Sequence, residues 1–149
     1  MLPFDSYPRG GRKLLGMTTK SNARQGYGLD FMRLTGQRKC AYCEVDLTGS
    51  YEYWLTMVFD HVIPASVCKR AGIPLTWCED FSNTVLACAA CNGFCNRYRP
   101  SKEVPRVESL EEFYILRDNV FEERKKLIAL RREVEREFYD EKRWEIPLA

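Results

Sequence analysis

The chain has 149 residues, of which 45% are hydrophobic and 13% aromatic, so wholesale disorder is excluded and a single compact domain is expected. No apolar run approaches the roughly 18 residues that span a membrane, and the start, MLPFDSYPRGGRK, lacks the apolar stretch of a secretory signal. We therefore expect no membrane contact and a cytoplasmic location. The net charge is only +2, but residues 1–40 carry eight basic and two acidic residues, which is equally typical of nucleic-acid contact and of a solvated arm.

The segment before the first cysteine predicts a basic arm with one short helix. Residues 1–27 are rich in Gly, Arg, Ser and Asn and show little periodicity. GLDFMRLTG, residues 28–36, has helical spacing and a terminal glycine that stops the helix. We assign residues 1–38 to this arm, and two basic residues at its end are candidate nucleic-acid contacts: Arg38 and Lys39.

Two strands and a helix are predicted within residues 39–100. YWLTMVFD (53–60) and NTVLA (83–87) are rich in β-forming residues. The connection between them contains Pro and Gly, with a short helix at 65–70. CNGFCNRYRP continues from the last pair of cysteines as a helix that Pro100 stops.

The C-terminal third, residues 101–149, predicts one long amphipathic helix. Ser109 and Glu112 have the spacing of a capping box. Apolar residues then recur at intervals of three, four or seven: Phe113, Leu116, Val120, Leu127, Leu130, Val134 and Phe138. This stripe either packs on the rest of the domain or pairs with a second copy, so a homodimer through the helix remains open. The opposite face is rich in Glu, Arg and Lys and is expected to be solvated.

The cysteines favour a metal site over disulfides, because their number is odd (seven) and the expected compartment is reducing. Cys40 and Cys43 form one C-x-x-C pair, and Cys88 and Cys91 form another. Four thiolates on two tight turns complete a tetrahedral zinc site, and the paired spacing favours it over four unpaired buried cysteines. Such a site has no open position, so this zinc is expected to be structural.

Polar residues fall at the ends of the predicted strands, inside this cysteine frame. Asp60 and His61 end the first strand, Asn83 begins the second, and Asn92 and Asn96 follow the second cysteine pair. Three stretches of the sequence, CAYC, VFDHVIPAS and NTVLACAACN, together resemble the HNH endonuclease family. The third letter of the family pattern is an asparagine here, which is a familiar variant.

The resemblance implies an α+β fold with a ββα-metal core at residues 39–100, and a role for each matching residue. His61 is then the general base that deprotonates the attacking water. Asp60 and Asn92 bind one divalent cation, with Asn96 a weaker candidate ligand. Asn83 holds the His61 loop through hydrogen bonds to backbone. A neutral imidazole suits the base role, and carboxylate and carboxamide oxygens suit Mg²⁺ or Mn²⁺.

The leading hypothesis is a metal-dependent endonuclease that nicks or cuts double-stranded DNA and, by the resemblance, leaves 3′-hydroxyl and 5′-phosphate ends. Three basic residues at or after the end of the predicted helix that carries Asn92 are further candidate phosphate contacts: Arg97, Arg99 and Lys102. One alternative is a non-catalytic zinc module that binds nucleic acid or protein, in which His61 is a buried core histidine and Asp60 a turn residue. Another is a nuclease that acts on RNA.

Overall fold

The computed structural model describes residues 2–8 and 24–147, so residues 9–23 of the predicted basic arm lie outside the described residues. The described residues form a mixed α+β structure in which helices surround a small sheet. The helices are α1 (Tyr27–Thr35), α2 (Tyr51–Leu55), α3 (Ala65–Ala71), α4 (Leu75–Cys78), α5 (Ala89–Phe94) and α6 (Leu110–Asp140). Among the described residues, no helix is long and apolar enough to cross a membrane.

The sheet consists of two antiparallel strands, β1 (Met57–His61) and β2 (Thr84–Cys88). Met57 pairs with Cys88 at one end and His61 pairs with Thr84 at the other. Every residue of β2 is buried, whereas β1 is mostly half-buried. The helix α5 follows β2 directly and packs against both strands, so the central segment has the order β–β–α.

The first strand is shorter than the sequence predicts, because its expected first half forms helix α2. The Ser50 hydroxyl accepts a hydrogen bond from the Tyr53 N–H at 3.1 Å and caps this helix. Aromatic residues fit a strand or a short helix equally well by pattern, so the cap decides between them. The second strand and the short helix after Pro64 lie where the sequence predicts them.

Residues 2–8 do not form a solvated arm but pack into the core. Phe4 is buried and meets the ring of Phe121 edge-on, with ring centroids 5.5 Å apart. The Tyr7 hydroxyl donates a hydrogen bond of 2.6 Å to the Thr84 carbonyl. The aromatic residues therefore override the polar composition of this segment. The predicted short helix is present as α1 and ends at Gly36 in the left-handed conformation.

Helix α6 begins at the predicted cap, where the Ser109 hydroxyl accepts from the Glu112 N–H at 3.2 Å. Its first half packs on the domain, and its buried residues include two arginines: Phe113, Arg117, Val120, Phe121, Arg124 and Ile128. The expectation of a fully solvated polar face is wrong for these arginines, which reach carbonyl groups of the core. The second half of the predicted apolar stripe is exposed instead: Leu127, Leu130, Val134 and Phe138.

Candidate functional site

The two predicted cysteine pairs meet at the Met57–Cys88 end of the sheet. The sulfur atoms of Cys40, Cys43, Cys88 and Cys91 all lie within 4.8 Å of one another, close enough to hold a metal ion. The Cys43 and Cys88 sulfurs are 3.9 Å apart. A zinc–sulfur bond of about 2.3 Å in a tetrahedral site corresponds to sulfurs about 3.8 Å apart. These four residues, the four-cysteine cluster, therefore fit a structural zinc ion.

Each half of the four-cysteine cluster is built by a tight local turn. The Glu44 N–H donates to the Cys40 carbonyl at 2.9 Å, and Glu44 has a positive φ of 65° that turns the chain back. The Cys91 N–H points at the Cys88 sulfur at 3.4 Å, at the start of α5. Hydrogen bonds from the neighbouring thiols of Cys88 and Cys91 lower the pKa of Cys40, whereas the contacts with Cys40 and Cys88 raise the pKa of Cys91, and burial raises the pKa of Cys43.

The other three cysteines lie outside this cluster. The buried thiols of Cys68 and Cys78 both approach the Ile63 carbonyl, at 3.7 and 3.8 Å. Cys95 is also buried, and it does not belong to the group of sulfurs that could share an ion. The structure therefore matches the ligand set expected from the two C-x-x-C pairs.

His61 lies at the opposite end of the sheet, as the last residue of β1. Its side chain is half-buried and has no hydrogen-bond partner among the described residues. Its neighbour Asp60 is held tightly, since its Oδ2 atom accepts from the Tyr42 hydroxyl at 2.8 Å and from Arg124 Nη2 at 2.8 Å. The imidazole thus remains open to a reactant while the adjacent carboxylate is anchored.

Asn83 fixes the loop that follows His61. Its side chain is fully buried, and its Oδ1 atom accepts from the Ile63 N–H at 3.0 Å. Its Nδ2 atom donates to the Ile63 carbonyl at 3.1 Å and to the Cys78 carbonyl at 2.8 Å. The Val62 N–H donates to the Asn83 carbonyl at 2.8 Å. These backbone contacts are the ones that the family resemblance implies for Asn83.

Arg124, which the sequence reasoning missed, fixes the same loop from the side of α6. Its side chain is 1% exposed, and its Nη1 atom donates to the carbonyls of His61 at 2.8 Å and Val62 at 2.9 Å. Its Nη2 atom forms the ion pair with Asp60. A signal was available, because the seven-residue spacing of Arg117 and Arg124 places both on the buried face of the helix.

The Asp60 carboxylate has one engaged oxygen and one open oxygen. Burial raises the pKa of Asp60, and the Arg124 guanidinium and the Tyr42 hydroxyl oppose that rise. Both of its hydrogen bonds go to Oδ2, so Oδ1 has no hydrogen-bond partner within the described part of the chain. One atom of this carboxylate therefore remains for a ligand.

The two candidate asparagines after the second cysteine pair differ in their positions. Asn92 lies in α5 and is half-buried, and its side chain makes no hydrogen bond to a described residue. Asn96 is exposed beyond the end of the helix. The expected helix to Arg99 is wrong, because Cys95 and Tyr98 turn into the core after Phe94. The two asparagines therefore do not share one helix face.

The five basic residues predicted to contact nucleic acid are all exposed: Arg38, Lys39, Arg97, Arg99 and Lys102. None of them forms an ion pair with a described residue. Arg38 and Lys39 directly precede the four-cysteine cluster, and the other three follow α5. They are accessible to a phosphate backbone.

The chain matches no protein-family model, and it has no significant match to a curated protein or to a solved structure.

Proposed function

We propose that this chain is a metal-dependent endonuclease of the HNH type that hydrolyses DNA phosphodiester bonds. The observation that carries the proposal is the surroundings of His61, the only histidine in the sequence. Its side chain is open, while the backbone around it is held by Asn83 and Arg124. A mobile or buried structural histidine does not need such support, whereas a general base must be held in position.

His61 takes the proton from the attacking water in this proposal. Because its ring makes no hydrogen bond to a described residue, a ring nitrogen is free to accept that proton. The Arg124 contact to the His61 carbonyl holds the residue at the end of the strand. General-base catalysis of this kind typically contributes a factor of about 10² to 10⁴ in rate.

Asp60 and Asn92 are the residues that would hold Mg²⁺ or Mn²⁺. They fit a hard cation because each offers an uncommitted oxygen, and neither provides the sulfur or imidazole ligands that retain zinc. When bound, the ion supplies positive charge at the phosphate. Arg124 and Tyr42 both contact Asp60 Oδ2, which leaves Oδ1 as the oxygen that would bind the ion.

The four-cysteine cluster has no chemical step in this proposal. With zinc bound it joins the turn at Cys40 and Cys43 to the end of β2 and the start of α5. Since α5 carries Asn92 and packs on β1, the cluster would fix the position of α5 relative to Asp60. The exposed basic residues on either side of the core would bind the phosphate backbone.

One observation favours a second candidate function, a non-catalytic zinc module that binds nucleic acid. The ion pair with Arg124 gives Asp60 a structural task that requires no cation. In that function the open His61 ring has no role, and the basic residues alone determine binding.

The two functions are separated by incubating supercoiled plasmid with the purified protein and Mg²⁺ or Mn²⁺. The endonuclease produces nicked or linear DNA, and His61→Ala abolishes the product without weakening DNA binding in a gel-shift assay. Lys69→Ala, an exposed change on α3, is the matched control and cleaves normally. Binding of plasmid without cleavage by the wild-type protein supports the zinc module. In a parallel reaction with RNA, cleavage of the RNA but not of the plasmid would identify RNA as the substrate.

A further inference from the structure

Four apolar side chains of α6 form an exposed stripe beyond the part of the helix that packs on the domain. Their exposed fractions are 42% for Leu127, 59% for Leu130, 63% for Val134 and 43% for Phe138. Their spacing of three, four and four residues places them on one side of the helix. Exposed apolar residues that line up in this way mark an interaction surface rather than scattered surface residues. These four residues are the exposed stripe.

Among the described residues, the contacts of this segment with the domain are made beside the exposed stripe, by Arg131 with the Phe94 ring and by Arg132 with the Cys91 sulfur. Within the stripe itself, the Arg143 guanidinium lies 5.9 Å from the centroid of the Phe138 ring. Ile128 is the last buried residue of α6, and residues 129–140 are all exposed. These twelve residues extend about 18 Å along the helix axis. Four large apolar side chains on one side of this segment are exposed to solvent, so a packing partner for that side is expected.

We propose that the exposed stripe packs, in antiparallel orientation, against the same stripe of a second copy of this chain. In a two-fold symmetric antiparallel pair of helices, each flank of one helix faces the same flank of the other. Lys126 and Glu137 lie on one flank of the stripe, and Arg131 and Glu135 lie on the other. Glu133, seven residues after Lys126, also lies on the first flank, so each flank carries one basic residue and at least one acidic residue that can complement a copy of itself.

The positions of these charges along the helix fit the same arrangement. If the two-fold axis passes midway between Leu130 and Val134, Leu130 packs on the partner's Val134 and Leu127 on the partner's Phe138. Lys126 then lies level with the partner's Glu137, and Arg131 lies within a turn of the partner's Glu135. Within the described part of the chain, none of these four charged residues has an ion pair.

A parallel pair does not give this match. In a parallel pair, a residue on one flank of a helix lies beside a residue on the opposite flank of its partner. That partner residue is five positions further along the sequence. Lys126 would then lie beside the partner's Arg131, and the two like charges repel. The charges therefore select the antiparallel pair. The inference does not rest on the proposed nuclease activity, because no residue of the catalytic site contributes to it.

The first test is the molar mass in solution, measured by sedimentation velocity from low micromolar to several hundred micromolar protein. An interface of four apolar residues is small, so a concentration-dependent dimer is expected rather than a permanent one. Leu130→Glu keeps a good helix former and is expected to shift the midpoint of dimerisation to at least about tenfold higher concentration. Leu75→Glu on α4, where Leu75 is 63% exposed, is the matched control and leaves the dimer unchanged.

The second test reports the orientation of the helices. In the antiparallel pair, Lys126→Glu and Glu137→Lys each place like charges together and weaken the dimer, while a mixture of the two variants restores it. A parallel pair predicts the opposite for Lys126→Glu, since the new glutamate would attract the partner's Arg131. A wild-type protein that stays monomeric at several hundred micromolar overturns the proposal. A Leu130→Glu variant that dimerises like the wild type also overturns the proposal. A Lys126→Glu dimer tighter than the wild-type dimer overturns the antiparallel orientation.

Discussion

The two ends of the β1–β2 sheet are held by different means. At the Met57–Cys88 end, four cysteine sulfurs lie within 4.8 Å of one another and fit one metal ion. At the His61–Thr84 end, hydrogen bonds from Asn83 and Arg124 hold the loop, and the described residues show no second cluster of thiols or carboxylates there.

In the proposed nuclease, the two ends of the sheet divide stability and chemistry between them. A closed four-thiolate site leaves no position for a substrate, so the cysteine end can only hold the structure together. Hydrogen bonds at the other end fix the backbone while the His61 ring stays accessible. We expect changes at the first end to unfold the protein, and changes at the second end to reduce stability or activity in graded amounts.

Cys40→Ser is expected to have the largest effect on stability. A structural zinc ion contributes about 10–16 kcal/mol, which exceeds the roughly 5–15 kcal/mol of net stability of a typical domain. The variant should therefore be largely unfolded by circular dichroism and should retain less than one zinc ion per chain. Cys68→Ser, at a buried cysteine outside the cluster, is the control and should keep its zinc. A stably folded, metal-free Cys40→Ser protein would contradict the role of the cluster.

Arg124→Met is expected to have the second-largest effect on stability. It removes the cation that pairs with the half-buried Asp60 carboxylate, which keeps the Tyr42 hydroxyl as a donor, and it removes the donor to the carbonyls of His61 and Val62. Removing one partner of a buried ion pair typically costs about 3–5 kcal/mol, and this loss should appear as a lower midpoint of chemical unfolding with zinc still bound. Arg70→Met, at an exposed arginine of α3, should change stability little. Equal stability of the two variants would show that the Arg124 contacts do not support the loop.

Asn83→Ala should cost about 3 kcal/mol, because the N–H of Ile63 and the carbonyls of Ile63 and Cys78 lose their partner in a fully buried position. Asn83→Asp should not rescue the protein, since a carboxylate would face two carbonyl oxygens. Unfolding by urea measures both variants. Asn96→Ala, at an exposed asparagine, is the control. A rescue by aspartate would mean that the donor side of Asn83 is dispensable.

Alkaline pH should weaken the His61–Thr84 end through its buried tyrosines. Burial raises the pKa of Tyr27 from 10.0 to about 12, and it raises the pKa of Tyr7 as well. The native state keeps these protons above pH 10 while the unfolded chain loses them, so stability falls as the pH rises past 10. Tyr27→Phe should reduce this slope in unfolding experiments below and above pH 10. An unchanged slope would exclude Tyr27 as a source.

The four-cysteine cluster was predictable because its signal is local. Each C-x-x-C pair places two sulfurs on one turn, and only the meeting of the two turns depends on the fold. The strand β2 and the cap of α6 at Ser109 were predictable for the same reason. Local geometry and side-chain chemistry agree at these positions.

The supports of the His61 loop were harder to predict, because they come from distant parts of the chain. Arg124 lies 63 residues from His61, and an arginine on an amphipathic helix is ordinarily solvated. Its spacing in the helix places it on the buried face, but only the fold shows which groups its side chain reaches. Residues 53–55 were mispredicted as strand because Tyr and Trp favour strands, whereas the Ser50 cap acts through one hydrogen bond.

One rate distinguishes the stabilising role of the Cys88 end from the proposed catalytic role of the His61 end. It is the rate of plasmid cleavage by zinc-loaded, folded His61→Ala relative to wild type, with Mg²⁺ or Mn²⁺ present. Because the imidazole makes no hydrogen bond to a described residue, its removal should leave zinc content and unfolding unchanged. If His61 is the general base, this rate should be at least about a hundredfold lower than that of the wild type. Cleavage by His61→Ala at the wild-type rate would contradict that role.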